Sequence, residues 1–402
     1  MNELERLQRE NRHLRKRIQE LEKTIAVITS MNRSPIGADI NRSIEISRVL
    51  EQQESALLIA ELINTVSDKT KMNLKQQQEK KKMLLAEKAA IDAKISKDIE
   101  KIATMGLDHV RMPVDYNVIQ TDDGEIIESG MAYIESCVGW CKKHGLNIVI
   151  DLHKTCGYIF DDPSYCGFFG NEKLQDQFVY LWQEIARRYG NDSHIAFELL
   201  NEITSADFTD SWNKIASRTV KEIRKIAPET KIIIGGIFNS SIYGLTLLDI
   251  EWDENIVLTF HCYNPLVFTH QGAGWVDRLD KSYRTKFPAT AEKLLADSRK
   301  YFGEDFISDF DGITGMIDSG FFVKMFADAV KVAEKLELPL YCGEYGVIDR
   351  ADPESTLNWF RMINEAFEQL HIARAVWSYK EMDFGITDEH YAPIYDELIK
   401  VL

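Results

Sequence analysis

Glu344 and Glu202 are the residues of this sequence best placed to do chemistry. Glu344 ends the run Leu338-Pro-Leu-Tyr-Cys-Gly-Glu-Tyr-Gly346, a short apolar segment closing on a single glutamate held between glycines. That is how a buried strand delivers one charged side chain to an opening. Upstream, Ile195-Ala-Phe-Glu-Leu-Leu-Asn-Glu202 repeats the plan, with an amide beside the terminal carboxylate. Two carboxylates at the ends of two strands are the minimum apparatus for cleaving a glycosidic bond. Alone, either glutamate reads equally as a cap or an ion-pair partner, so the chemistry rests on what accompanies them.

Positioning such a pair requires a scaffold, and the sequence supplies one from about Ser96 onward. Apolar runs of five or six residues alternate with amphipathic segments of ten to eighteen, the rhythm of βα units around a parallel sheet. Strands are predicted at His109–Pro113, Asn147–Leu152, Ile195–Leu200, Lys231–Gly235, Ile256–Phe260, Leu338–Gly343 and Arg374–Ser378. Helices are predicted at Met131–His144, Lys173–Tyr189, Ser211–Ile226, Gly320–Leu336, Pro353–Gln369 and Glu389–Val401. A closed βα barrel has eight strands and carries its site on the loops after their C-terminal ends.

The residues at those ends are Arg111, His153, Asn201 with Glu202, His261 with Tyr263, Glu344 and Trp377. An oxocarbenium-like transition state needs an acid for the departing oxygen and, in a retaining enzyme, a second carboxylate about 5 Å away to attack the anomeric carbon. The acid has to stay protonated near neutral pH, which burial and a neighbouring carboxylate favour; the nucleophile has to stay ionised, which calls for a cation or donors. Arg111 and Tyr263 can supply those to Glu344. Asn201 is suited to a sugar 2-hydroxyl, His153 and His261 to orienting the reacting groups, and Trp377 to stacking against a pyranose. Each residue taken singly has a structural explanation as well: an ion pair for Arg111, a satisfied core position for the histidines and the tryptophan.

Composition bounds the rest. With 402 residues, 45% of them hydrophobic, the chain can bury a large core. A formal charge of −16 argues against nucleic acid as partner, because phosphate would be repelled. Six cysteines, Cys137, Cys141, Cys156, Cys166, Cys262 and Cys342, are too few and too scattered for a disulfide scaffold or a zinc site, so free thiols are expected. No apolar run approaches the roughly 20 residues of a transmembrane helix, so no membrane partner is expected. The start Met1-Asn-Glu-Leu-Glu-Arg lacks the apolar core of a secretory signal, so nothing there directs export.

Residues 1–30 carry a heptad, with Leu4, Asn11, Ile18 and Ile25 at one seam position and Leu7, Leu14, Leu21 and Ile28 at the other. A lone seam asparagine favours a parallel pair in fixed register, hence a homodimer through residues 4–28; a single amphipathic helix is the alternative. Residues 31–95 read as a helical, partly solvated extension. Within it, residues 44–95 read as continuous helix, including the polar run Lys75–Lys82.

The motifs Leu107-Asp-His-Val-Arg-Met-Pro-Val-Asp-Tyr116, Asp151-Leu-His-Lys154, Asn201-Glu202, His261-Cys-Tyr-Asn-Pro265, Gly343-Glu-Tyr-Gly346 and Trp377-Ser-Tyr-Lys380 resemble, in order, the strand-end motifs of glycoside hydrolase family 5, the cellulase family. The resemblance covers residues 96–402. It implies a retaining β-glycanase on a (β/α)8 TIM barrel without metal or cofactor, commonly secreted, with Glu202 at the acid/base position and Glu344 at the nucleophile position. Arg111, His153, Asn201, His261, Tyr263 and Trp377 fall on the remaining active-site positions. The segment Phe268-Thr-His-Gln-Gly-Ala-Gly-Trp275 resembles a cellulase loop, so Phe268, His270 and Trp275 are candidate subsite residues; they and the aromatics of Cys156–Phe169 read equally as loop core. The substrate implied is a β-glucan polysaccharide or oligosaccharide, with mannan, xylan and xyloglucan as alternatives, and a catalytically inert barrel as the reading from another class. One departure stands out. The family's first strand is missing, so either Leu57–Ile63 serves in its place or the front of the chain was joined to a truncated hydrolase, and two strand edges would lie open.

Overall fold

A computed structural model describes residue 42, residues 44–50 and residues 68–402. The heptad of residues 1–30, the homodimer expected from it, and the patch Leu57–Ile63 lie outside the described residues. The chain separates into two compact units between Lys97 and Asp98. In the first, residues 44–50 are helical and helix α1 (Asp68–Thr104) begins. Ile46, Leu50 and Leu84 form a small buried cluster with Val49 and Ile91. Arg42 Nε reaches Glu87 Oε1 at 2.7 Å, while Gln78, Glu79 and Lys80 are exposed, as a solvated helix face requires.

The second unit is a nearly closed parallel barrel. Its strands are β1 (His109–Asp115), β2 (Asn147–Lys154), β3 (Ile195–Glu198), β4 (Lys231–Gly235), β5 (Ile256–Cys262), β6 (Leu340–Tyr345) and β7 (Ala373–Val376), paired in sequence order. Around them lie α2 (Glu128–Lys143), α3 (Glu172–Tyr189), α4 (Thr209–Arg224), α5 (Ala291–Phe302), α6 (Ser319–Leu336) and α7 (Pro353–Leu370). Strand ends fall within two residues of the sequence expectation. Two helix readings need correction. The long excursion from β5 to β6 holds α5 as well as α6, which breaks the rhythm of one helix per strand; Thr290 caps α5 by accepting from Lys293 N. The helix expected at Glu389–Val401 is a 3-10 turn followed by the short helix Tyr395–Ile399, because Pro393 cannot supply a backbone donor.

Side chains from alternate strands fill the barrel in layers, as such interiors must. Val149, Ile233 and Tyr341 from β2, β4 and β6 pack with the smaller Ala196, Val257 and Ala375 from β3, β5 and β7. His109 of β1 reaches across, its Nε2 2.9 Å from the Tyr341 hydroxyl. No eighth strand occurs among the described residues, and β1 and β7 approach without pairing. Their side chains are mostly half-buried, whereas β6 is buried throughout. Among the described residues, the outer edges of β1 and β7 are therefore unpaired. After β7, Asp98 of α1 accepts from the Tyr379 hydroxyl at 3.0 Å and pairs with Lys380.

Three buried tryptophans anchor the strand ends that matter for function. The indole N–H of Trp182 (α3) donates to Leu199 O, that of Trp212 (α4) to Gly235 O, and that of Trp359 (α7) to Asn264 O. A strand that opens into a loop leaves carbonyls without ladder partners, and a buried indole satisfies one of them while burying a large apolar surface. Each helix is thereby locked to the C-terminal mouth of β3, β4 or β5.

Candidate active site

The two glycines flanking Glu344 are explained by close backbone approach. A Cβ on Gly343 would lie 2.8 Å from Thr259 Oγ1 and 3.1 Å from His261 Nε2, and one on Gly346 would lie 2.2 Å from Trp377 O. Only glycine lets β5 and β7 press so closely on either side of β6, and the register shifts at Phe260/His261 and Cys342/Tyr345 fall at the same level. Glu344 is thus delivered into the mouth, buried, with His261 beside it.

Arg111 is the electrostatic hub. Its Nε and Nη2 grip the two oxygens of Glu198 at 2.6 and 2.9 Å, its Nη1 donates to Glu344 Oε1 at 2.8 Å, and Nη2 also reaches Asn201 Oδ1 and Asp151 Oδ2, each at 3.0 Å. Three buried carboxylates thus share one guanidinium, an arrangement that holds only if every charge is paired. Asp151 in turn receives His153 Nδ1 at 2.7 Å. Burial pushes the Glu198 carboxyl up despite Arg111, with the charge of Asp151 adding to the rise. Burial also opposes ionisation of Glu344, but the charges of His261, Arg111 and His153 and the hydrogen bond from Tyr263 outweigh it, so its carboxyl is held below the ordinary range. The Tyr263 hydroxyl donates to Glu344 Oε2 at 2.9 Å, and burial with the neighbouring carboxylates keeps that phenol protonated.

Glu202 is held differently. His261 Nδ1 lies 2.8 Å from Glu202 Oε1 and 3.6 Å from Glu344 Oε2, and Asn239 Nδ2 donates to Glu202 Oε2 at 3.0 Å. Burial disfavours the charged form of His261, but Glu344 and Glu202 reverse that and raise its pKa. An oxygen of Glu202, an oxygen of Glu344 and a ring nitrogen of His261 all lie within 4.8 Å of one another. Those atoms could also ligate a metal ion; each group already has polar partners without one.

Around this centre the structure brings together the other strand-end residues. His153 and Trp377 stack with ring centroids 5.8 Å apart at 3°, and Phe160 meets His153 edge-on. Asn201 gives its amide oxygen to Arg111, so what it can offer a sugar is its NH2 group. His270 packs edge-on against Tyr263 and near Trp275, which is 53% exposed; desolvation lowers the His270 imidazole to about 4 and keeps it neutral. Phe268 is a correction. It is fully buried against Phe287 and cannot line a subsite, because the single helical turn Leu266–Thr269 points its ring inward. In the loop Cys156–Phe169, Tyr158, Phe168 and Phe169 are buried; Phe160 meets His153, and the Tyr158 hydroxyl donates to Glu202 O at 2.7 Å. All six cysteines are free. The sequence reading missed Glu198, Asp151 and Asn239 as site residues. A carboxylate inside the apolar run of β2 or β3 was the available signal for the first two; Asn239 sits in a loop and gave none.

Residues 68–383 match the family model described as cellulase, glycosyl hydrolase family 5. This chain belongs to glycosyl hydrolase family 5. The match begins inside α1, well before Ser96. Among curated members of the family, cellodextrinase A of Ruminococcus flavefaciens is 43% identical over 280 residues, covering 69% of this chain and 76% of that protein. Endoglucanase C of Acetivibrio thermocellus is 40% identical over 314 residues, covering 76% and 90%. Solved structures titled as Thermotoga maritima Cel5A in complex with cellobiose and with mannotriose superimpose with TM-scores of 0.59 and 0.60 at 25% identity, each covering 76% of this chain and 89% of theirs. Family 5 membership makes this chain a glycoside hydrolase acting on O-glycosyl bonds. No helix among the described residues is long and apolar enough to cross a membrane.

Proposed function

We propose that this protein is an endo-β-1,4-glucanase that hydrolyses β-glucan with retention of configuration, using Glu344 as nucleophile and Glu202 as acid/base. The observation that carries the reading is the separation of the two carboxylates. An oxygen of each lies within 4.8 Å of the other, close enough to suit the roughly 5–5.5 Å of double displacement rather than the 6.5–9.5 Å of inversion. Glu344, ionised by Arg111 and oriented by Tyr263, attacks the anomeric carbon while Glu202 gives its proton to the departing oxygen. Glu202 then takes a proton from water as that water displaces Glu344. Asn201 binds the 2-hydroxyl through its NH2 group, and Trp377, backed by His153, carries the sugar's apolar face. The names of the endoglucanase and cellodextrinase relatives support glucan as substrate; the mannotriose complex of the Thermotoga neighbour keeps mannan as the second reading.

The test is hydrolysis of soluble cellulosic and mannan polymers, followed by viscosity and product length. Viscosity that falls well ahead of reducing-sugar release from the glucan is expected. Release of cellobiose alone from chain ends, or preference for mannan, would replace the endo-glucanase assignment.

A further inference from the structure

Glu202 lies past the end of β3 at Glu198, so the backbone that aims its carboxyl has left the strand ladder. Single hydrogen bonds hold that backbone instead. The Trp182 indole donates to Leu199 O, Asn201 N donates to Leu152 O at 3.1 Å, and Asn239 N donates to Ile203 O at 2.9 Å. The residue that carries the carboxyl is held by Tyr158. The Tyr158 hydroxyl donates to Glu202 O at 2.7 Å and accepts from Thr204 N at 3.0 Å. One phenol oxygen, acting as donor and acceptor at once, thereby fixes the chain just after Glu202.

Tyr158 is itself placed without freedom. It is 2% exposed and belongs to the loop after β2. Its ring meets Phe169 edge-on with centroids 5.0 Å apart and Phe208 at 6.3 Å, and those two rings stack on each other at 4.1 Å and 9°. Its backbone closes a tight turn, with Tyr158 N donating to Thr155 O at 2.9 Å and Thr155 N to Tyr158 O at 3.1 Å. Gly157 permits that turn: its φ is +82°, and a Cβ there would lie 2.5 Å from Leu174 Cδ1 of α3. Burial keeps the phenol protonated, and so a donor. A buried phenol needs a polar partner, and the partner here is the peptide of the presumptive proton donor.

We propose that Tyr158 is a positioning residue for the acid/base: through the backbone of residue 202 it aims the Glu202 carboxyl at the departing oxygen. The inference rests on Glu202 being the acid. A carboxyl displaced by a fraction of an ångström from the leaving oxygen transfers its proton less well, while attack by Glu344 is untouched. Tyr158 therefore matters most for leaving groups that cannot depart without a proton.

Two aryl β-cellobiosides separate these cases. Phenyl β-cellobioside has a poor leaving group that needs the acid, whereas 2,4-dinitrophenyl β-cellobioside releases a stable phenolate that needs none. The ratio of kcat/KM for the phenyl to the dinitrophenyl substrate is expected to fall about tenfold in Tyr158→Phe, within the cost of a small misplacement of a reacting group. This ratio cancels the concentration of folded enzyme, so a lowered yield or Tm in the variant leaves it readable. Glu202→Ala should lower the ratio further. Adding Tyr158→Phe to Glu202→Ala should then change nothing more, because a residue that acts through Glu202 has nothing left to aim. Phe208→Leu loosens the same ring cluster but spares the hydroxyl, and should keep the wild-type ratio. A ratio within about twofold of wild type in Tyr158→Phe, an equal fall in Phe208→Leu, or a further fall in the double variant would overturn the positioning role. A ratio that Glu202→Ala itself leaves unchanged would instead overturn the acid assignment beneath it.

Discussion

Glu344 and Glu202 bring oxygens within 4.8 Å of each other yet sit in different surroundings, and the tasks proposed for them rest on that difference. The Glu344 side chain is 7% exposed and takes hydrogen bonds from a guanidinium and a phenol; the Glu202 side chain is 14% exposed and leans on an imidazole and an amide. A carboxylate clamped by a permanent cation is fixed in its ionised form, which suits attack on carbon. Glu202 has no permanent cation on it, only an imidazole and a neutral amide, and the proposed acid/base role rests on that difference. The lesson is that role follows from the neighbours, since the two side chains are chemically identical.

Mutations that strip away one set of neighbours should break that contrast, and the nucleophile should cost the most. Glu344→Ala is expected to lose about 10^4-fold or more in kcat on any β-glucoside substrate, activated or not, because no covalent intermediate can form. Steady-state rates with the purified variant check this; comparable activity on either substrate would remove Glu344 from the nucleophile position. Glu202→Ala should lose about 10^2 to 10^4-fold on glucan, the usual worth of a positioned acid. On β-cellobiosyl fluoride its kcat/KM should suffer far less, since fluoride departs without a proton. Equal losses on the two substrates would blur the two carboxylates into one role.

The next test moves from the carboxylates to the guanidinium that grips Glu344. In Arg111→Gln, Glu344 loses one of the cations that hold its carboxyl down, so its carboxyl rises from that lowered position. Activity depends on the ionised form, hence the acidic limb of the pH profile should move to higher pH. Glu198 and Asp151 would also lose their shared partner, at a cost of about 3 kcal/mol or more in stability, visible as a lower Tm. An acidic limb that stays in place would disconnect Arg111 from Glu344. Tyr263→Phe removes one charge-assisted hydrogen bond, worth about 1.5 to 3 kcal/mol, so it should lower kcat/KM by roughly ten- to a hundredfold. Its acidic limb should shift in the same direction but by less than in Arg111→Gln.

Much of this centre was legible in the sequence because strands betray themselves by apolar runs and barrels put their chemistry where those runs stop. Glu344, Glu202, Arg111, His261 and Tyr263 were all found that way. Asp151 and Glu198 lie one step inside the runs, where a charge reads as an irregularity until a guanidinium is shown to need it. Asn239 could not be read, because its position depends on a left-handed turn enforced by two glycines five and three residues away in sequence. Phe268 was misplaced for a related reason: sequence shows an aromatic in a loop motif but not which side of a single helical turn faces the core. The seven strands were legible as apolar runs, while α5 was hidden because the β5–β6 excursion departs from the repeating unit.

The central claim is a covalent bond between Glu344 and the sugar, and it can be seen directly. A 2-deoxy-2-fluoro-β-cellobiosyl fluoride slows both steps by withdrawing charge from the transition state, while its good leaving group lets the first step proceed, so the intermediate accumulates. Intact-mass measurement followed by peptide mapping should find one fluorocellobiosyl group per chain, attached to the peptide that contains Glu344. A label on any other residue, or an enzyme that turns over cellotetraose but never acquires a label and releases product with inverted configuration, would contradict the account.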